Sequence, residues 1–583
     1  MRLSVPDFSN LAIAAALDEL GDLYELDGAV IHRVLAYRTA ARAVRDAPMS
    51  VSGLAREGRV TELPGIGKTL EEKILALLAT GTIPAAEKLR ARFPPGLMDL
   101  TRLPGLGPKR ARMLFDELGV DSLDALREAA EAQKLRGIRG FGPKFERTVI
   151  AALDAGLGDQ PAPRVLLPRA LGLAEQIRDE LRAHPAADRV ELAGGVRRLA
   201  DSVKDLDIVA TASDPAALAA ALGELDVIES ASVAGPNTGR GRTHNGMPVD
   251  LRVAEPEQFG NLLQHFTGSA AHNVALREAA VRRGLHVSEY GILDDETGET
   301  LRCPTEAGVY ERLGLAWIPP ELREGRGELR AAADGGLPQR LVELGDLRGD
   351  LHLHTTASDG RNTIEQMAVA ARERGYEYIA ITDHSATHGF GNDVSPDELR
   401  AQIERVAEVN ARLEGIEVLA GSEVNILPDG TPDYADDLLA ALDWVIGSVH
   451  TSFGIGATEM TKRMVAACEH PSIDAIGHPT GRKIESRAPY AVDVDALIEA
   501  AGRTGTMIEI NSAPDRRDLN DVHARAARDA GVRILVNSDA HGANTLSNVR
   551  WGVATARRAW LAREDVANTL PWAQFAPLRK RAR

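Results

Sequence analysis

With 583 residues and 44% hydrophobic side chains the chain is too long for one core and ordinary for globular protein, so three or four domains are expected. A formal net charge of -17 argues against a nucleic-acid coat over the whole surface; residues 1–150 carry 22 Lys+Arg against 20 Asp+Glu, a balance of +2 that leaves -19 for the rest, so the N-terminal part is the expected DNA-facing part. There is no apolar run of about 18 residues and no charged-then-apolar leader, and Cys303 and Cys468 lie far apart. Membrane spans, disulfide scaffolds and thiolate zinc sites are therefore not expected, and a cytoplasmic location is.

Residues 9–47 read as amphipathic helices, with Leu11, Ala14, Ala15, Leu17 and Leu20 on one stripe and Tyr37-Arg38-Thr39-Ala40-Ala41 in a second segment. A short motif then recurs three times: Leu63-Pro64-Gly65-Ile66-Gly67-Lys68, Leu103-Pro104-Gly105-Leu106-Gly107-Pro108-Lys109 and Ile138-Arg139-Gly140-Phe141-Gly142-Pro143-Lys144. Glycines two apart allow a tight turn ahead of a helix, which leaves free N–H groups and the positive helix end aimed at a phosphate, with a lysine adding charge. Three copies make an internal repeat of the helix-hairpin-helix type, which grips DNA backbone without reading bases.

Asp159-Gln160-Pro161-Ala162-Pro163 reads as a linker, and a helix from Arg169 to His184 follows. Arg189-Val190-Glu191-Leu192-Ala193 and Leu206-Asp207-Ile208-Val209 suggest two strands joined by a turn that carries Gly194-Gly195-Val196-Arg197-Arg198. Asp205 and Asp207 then share one sheet face, and Asp250 and Arg252 share a face of the strand-like Pro248–Val253. Carboxylates placed so closely repel unless divalent cations neutralise them, so three aspartates on two strands are expected to hold two ions for phosphoryl transfer.

The order of G-G-x-R-R, D-x-D, a lone D-x-R strand and Phe266-Thr267-Gly268-Ser269 resembles the nucleotidyltransferase palm and thumb of family X DNA polymerases. The resemblance implies that Asp205, Asp207 and Asp250 hold Mg²⁺ or Mn²⁺ and that Asp250 polarises or deprotonates the primer 3′-hydroxyl. It further implies that Arg169, Gly194, Gly195 and Arg198 cradle the nucleotide's phosphates. His265, Phe266, Gly268 and Asn273 would lie beside the nucleotide, and Arg277 would meet the template. Four positions depart from the pattern: Gly195 for serine, Val203 for a small polar residue, Lys204 for glycine and His265 for tyrosine. Losing one hydrogen bond to a charged phosphate costs roughly 1.5–3 kcal/mol, which impairs nucleotide binding without abolishing it. The first hairpin region resembles the family's small lyase domain, in which Lys73 would attack an abasic sugar as a 5′-deoxyribose phosphate lyase; a solvated helix lysine or a phosphate contact is the alternative. Glu306 to Arg323 closes the thumb, and Gly325 to Gly336 reads as a linker.

In the C-terminal part, successive apolar runs end in Asp350-Leu351-His352-Leu353-His354, Asp383-His384, Ser422-Glu423, Val449-His450, Gly477-His478 and Asp539-Ala540-His541, with Asp359 close behind the first. Strands separated by helical patterns place such endings at one mouth of a barrel. His388 and His470, off this pattern, read as capped core histidines. This half resembles the polymerase-and-histidinol-phosphatase (PHP) superfamily. The resemblance implies nine metal ligands, His352, His354, Asp359, His384, Glu423, His450, His478, Asp539 and His541, around two or three Zn²⁺, Mn²⁺ or Fe ions, with Glu423 as bridge.

The expected architecture is multidomain. It comprises an all-α helix-hairpin-helix region (lyase-like 1–82, fingers-like 83–158), an α+β palm (165–254) with thumb (255–325), a linker (326–345) and an α/β distorted TIM-like PHP barrel (346–583). The function implied is gap filling in DNA repair by a monomer acting on gapped or nicked DNA and dNTPs, with 3′-5′ exonuclease or abasic-site incision at the barrel. The alternatives are a nuclease whose polymerase half mainly positions DNA and a non-catalytic end-binding scaffold.

Overall fold

The computed structural model describes residues 8–103, 105–155, 164–389 and 391–580, so the linker expected at 159–163 lies outside the described residues. They fall into two compact units, one running up to Arg164 with Leu173–Glu191 and Lys204–Ala254, the other holding Val165–Gly172, Leu192–Val203 and Glu255 onward. The expected palm 165–254 is thus divided, because the loop 192–203 groups with the later part of the chain. Among the described residues no helix is long and apolar enough to cross a membrane.

In the first unit, helices Asn10–Leu26 and Ile31–Asp46 bury Ile13, Ala14, Leu17 and Leu20 against Tyr37, Ala40, Ala41 and Val44. Leu11 and Ala15, expected on that stripe, face out instead. Asn10 sets the rotation: its amide donates to the carbonyls of Ala47 and Met49 and accepts from the N–H of Val51, which fixes position 10 inward. The three repeated motifs share one geometry. Gly65, Gly105 and Gly140 adopt φ of +79°, +78° and +92°, values that favour glycine, and helices Lys68–Thr80, Pro108–Leu118 and Pro143–Ala155 start just beyond.

The same unit carries a five-stranded sheet of β1 (Ala187–Leu192), β2 (Leu206–Ala212), β3 (Ile228–Val233), β4 (Thr238–Thr243) and β5 (Pro248–Ala254), in the order β1-β2-β5-β4-β3. β2 and β5 are parallel with Asp207 opposite Asp250, which puts both side chains on one face.

In the second unit, helices Phe259–Thr267 and Ala270–Val281 pack with a three-stranded antiparallel sheet and helix Glu306–Arg312 around Leu276, Val309, Tyr310 and Ile318. The stretch read as a linker corrects an expectation. Residues Glu328–Asp334 form a helix whose Ala332 joins this core, together with Leu341 and Trp560. Its Glu328 is buried against His272, with Nδ1 to Oε1 2.7 Å, and an alanine-rich helix so anchored is no longer a free tether.

Seven parallel strands follow in sequence order: β6 (Gly349–Leu353), β7 (Tyr378–Ile381), β8 (Glu417–Asn425), β9 (Trp444–Ser448), β10 (Ala475–Ile476), β11 (Met507–Asn511) and β12 (Ile534–Asn537). A bridge from Leu353 to Ala540 brings the last strand back to the first, so the sheet closes into a barrel. Leu351, Tyr378, Leu419, Trp444, Ile446 and Leu535 fill one end together with Phe575, and helices cover the outside through Met367, Met464, Leu497 and Val553.

Candidate active sites

The other end of the barrel gathers the nine expected ligands. Glu423 lies on β8 and is fully buried; its Oε1 stands 2.8 Å from His478 Nε2, 3.2 Å from His450 Nε2 and 3.3 Å from His352 Nε2. Its Oε2 is 2.8 Å from His384 Nδ1 and 3.7 Å from His354 Nε2. Asp539 Oδ1 lies 3.1 Å from His354 Nε2 and 3.6 Å from His352 Nε2, while Asp359 approaches His384, His354 and His541 at 3.6, 3.9 and 3.3 Å. Three sets of ligand atoms each converge within 4.8 Å: His354, Asp359, His384 and His541; His352, His354 and Asp539; and His384, Glu423 and His450. Buried ring nitrogens of His352, His354, His450 and His478 have no hydrogen-bond partner, so the donor set suits divalent cations.

The electrostatics match. Burial alone would raise the Glu423 carboxyl, but the imidazoles of His450, His352 and His384 hold it well below the usual carboxylate range. Burial would lower His384, yet Glu423 and Asp359 push it to about 10. His354, buried between the imidazoles of His541 and His384, falls to about 4, and burial beside Arg516 takes His478 to about 4. A cavity of about 500 Å³ opens over the cluster and is also lined by His388, Phe453, Lys483, Arg487 and Arg516. His388 is buried and held by Asp393, and its ring stacks on His384 with centroids 4.2 Å apart. His470 stands off the cluster; its Nδ1 accepts from the N–H of Ser472.

Sequence reasoning gave no role to three carboxylates that support this mouth, Asp350 and Asp383 within the run endings and Glu509 outside them. Glu509 on β11 is fully buried; its Oε1 is 2.8 Å from His352 Nδ1, and Oε2 accepts from the N–H of His478 and the amide of Asn511. Asp383 accepts from the N–H and hydroxyl of Thr355 and from Ser358 and Gln402, which shapes the turn carrying Asp359. Asp350 takes the N–H of Ser538, and burial pushes its carboxyl up to about 7. The available signal was a charged residue inside an apolar strand, as in Met507-Ile508-Glu509-Ile510, a run left out of the strand count.

In the first unit, the palm aspartates are half-buried. Asp250 is clamped by Arg252, with Nε to Oδ1 2.8 Å and Nη2 to Oδ2 3.1 Å, and Asp205 Oδ2 is 3.6 Å from Lys204 Nζ. Among the described residues the three do not form a set converging within 4.8 Å. At the hairpins, Lys68, Lys109 and Lys144 are exposed, and a Cβ built on Gly67, Gly107, Gly140 or Gly142 would meet nothing within 4 Å, so the backbone there is open to a ligand. Lys73 is half-buried on helix Lys68–Thr80.

In the second unit, Gly194 has φ +60° and opens the helical turn Gly194–Arg197. A Cβ on Gly195 would lie 2.7 Å from Val203 Cγ1, so two of the departures from the family pattern form a matched pair. Arg197 is bonded bidentately to Glu306, at 2.6 and 2.9 Å, and Glu306 also holds Arg323 and the indole N–H of Trp317. Arg198 donates to Glu324 at 3.0 Å and to the carbonyl of Thr267, beside Gly268. Asn273 donates to the carbonyl of His265 and accepts from Gln264; His265 Nδ1 is 3.8 Å from Glu289, and Arg169 and Arg277 are exposed.

Comparison with known proteins gives four family matches: a helix-hairpin-helix domain at residues 8–83, a SAM-like helix-hairpin-helix tandem at 97–155, the DNA polymerase beta thumb at 262–324 and the PHP domain at 350–513. The chain is 38% identical over 558 residues to the DNA polymerase/3′-5′ exonuclease PolX of Bacillus subtilis (strain 168), covering 95% of this chain and 96% of that protein. It is 31% identical over 239 residues to a probable phosphatase of Thermoanaerobacter sp. (strain X514), covering 38% of this chain and 89% of the other. A probable phosphatase of Acetivibrio thermocellus is 32% identical over 208 residues, covering 33% and 78%.

Proposed function

We propose, because this chain belongs to the bacterial family X DNA polymerases that carry a C-terminal PHP domain, that it fills short gaps during DNA repair and degrades DNA 3′ to 5′ at the barrel. The observation that carries the reading is the Glu423-centred cluster, a buried carboxylate ringed by imidazoles with unpaired nitrogens, at the open mouth of a barrel.

At the barrel, His352, His354, Asp359, His384, Glu423, His450, His478, Asp539 and His541 would hold divalent cations, of which Zn²⁺, Mn²⁺ and Fe suit the donor set. Such ions would supply positive charge to a phosphodiester and acidify the attacking water. Glu509 fixes the ring of His352 through Nδ1, so that Nε2 faces the cluster. Lys483, Arg487 and Arg516 line the cavity and offer cations to the strand's phosphates.

In the polymerase half, Asp205, Asp207 and Asp250 would hold Mg²⁺ or Mn²⁺, and Asp250 would draw the proton from the primer 3′-hydroxyl once released from Arg252. Gly194, Gly195, Arg198 and Arg169 take the triphosphate; His265, Phe266, Gly268 and Asn273 border the nucleotide; Arg277 meets the template. The hairpin glycines and lysines hold the DNA backbone, and Lys73 acts as the lyase nucleophile on abasic ends. The substrates are gapped or nicked DNA and dNTPs, used by a cytoplasmic monomer.

The test uses one-nucleotide-gapped and single-stranded DNA. Asp207→Ala abolishes extension and spares 3′-5′ degradation, and Asp539→Ala does the reverse. Loss of both activities in either variant would overturn the assignment of two separate sites.

A further inference from the structure

The loop that carries Arg198 is held from the barrel side by three arginines. The turn Gly194–Arg197 is one helical turn, too short to stand alone, and its carbonyls are taken by the N–H groups of Arg198, Leu199 and Ala200. The carbonyls of those three residues, just beyond the turn, are held by the barrel. Arg558 Nη1 donates to the carbonyl of Arg198 at 2.8 Å, and Arg517 donates to those of Leu199 and Ala200 at 3.0 and 3.2 Å. Asp201, next in the chain, is paired to Arg517 at 3.3 Å and to Arg482 at 2.9 Å.

These arginines are themselves fixed. The Arg517 side chain is fully buried, and its Nε donates to Thr555 Oγ1 at 2.8 Å. Arg558 also bonds Glu324 at 2.8 Å, the carboxylate that takes Arg198 Nε at 3.0 Å. One carboxylate therefore orients both Arg198 and the residue that caps its carbonyl. A buried guanidinium whose donors converge on three loop groups suits a fixed shape better than lysine's point charge could.

We propose that Arg517, supported by Arg482 and Arg558, is a positioning residue for nucleotide addition: the barrel domain sets the shape of the 194–201 loop and thereby aims Arg198 at the incoming triphosphate. This rests on the reading that Arg198 binds the nucleotide's phosphates. The barrel then serves polymerisation through its arginines as well as degradation through its metal ligands.

The full-length protein is assayed for gap filling over a dNTP titration and for degradation of single-stranded DNA. Arg517→Met raises KM for dNTP about ten-fold with kcat within about three-fold, and the degradation rate stays within about two-fold. Removing a buried guanidinium can unfold the protein, so Asp201→Asn, at the half-exposed end of the same contact, carries the test independently and raises KM in the same direction. In the double variant the KM rise is no larger than in Arg517→Met alone, because both changes break one contact. An unchanged KM in Asp201→Asn, with Arg198→Ala raising it, would overturn the positioning role. An unchanged KM in Arg198→Ala would instead overturn the phosphate-binding reading beneath it.

Discussion

The barrel mouth and the polymerase half solve the same problem in opposite ways. Both collect charge suited to phosphate. At the mouth, Glu423 is surrounded by the imidazoles of His478, His450 and His352, and Asp539 by the imidazole of His354 and the amide of Asn511. In the polymerase half Asp250 rests on Arg252 and Arg198 on Glu324, while Arg197 is held permanently by the buried Glu306. On the roles proposed above, the mouth is preorganised for cations, whereas Asp250 and Arg198 would exchange partners when ions and nucleotide bind. Preorganised ligands lose little on binding; exchanged pairs lend themselves to control by substrate.

Breaking a permanent pair should have the largest effect. Glu306 is buried among Arg197, Arg323 and Trp317, and Glu306→Ala leaves Arg323 buried without its carboxylate. The expected loss is about 3–5 kcal/mol of stability, read by denaturant titration. If the loss were below about 1 kcal/mol, these pairs would not be the permanent partners described.

Acid tests the same contact. Burial alone would raise the Glu306 carboxyl, but Arg323 and Arg197 pull it down to about 2. Because the folded value is depressed, the stabilisation is complete above the ordinary value of about 4.5 and is lost as pH falls from there towards 2, a change of about 3 kcal/mol. Thermal unfolding of wild type and Glu306→Gln over that window checks it, and the variant should show a shallower acid slope.

The metal side is sharpened by Glu509→Gln. The Glu509 carboxylate accepts from His352, Asn511, Asn537 and the N–H of His478, so an amide would turn a donor towards donors. Degradation and metal content at limiting metal should fall about 10- to 100-fold while gap filling stays unchanged. An equal fall in gap filling would remove the contrast between the two regions.

The smallest expected effect concerns the matched pair in the loop. Gly195→Ser puts a Cβ 2.7 Å from Val203 Cγ1, and the valine can rotate only partly away. A loss of about 1–2 kcal/mol is expected, with Val203→Ala restoring it in the double variant. If Gly195→Ser alone were neutral and tightened dNTP binding, the glycine would be a dispensable departure rather than half of a pair.

The sequence by itself determined the parts whose signal is local. The three glycine hairpins follow from backbone freedom at Gly65, Gly105 and Gly140, and the imidazoles and carboxylates gathered at the barrel mouth from apolar runs that end in such residues, with Asp359 just behind the first. Neighbouring residues decide both, so spacing along the chain was enough. Tertiary structure alone decided the inward rotation of Asn10, the helix Glu328–Asp334 in place of a linker, Glu509 under His352 and the grip of Arg517 on the loop at Leu199. Each of these is a buried polar group whose partner comes from a distant stretch of chain. Burial makes such a partner obligatory, but nothing in the neighbouring sequence says which residue it is.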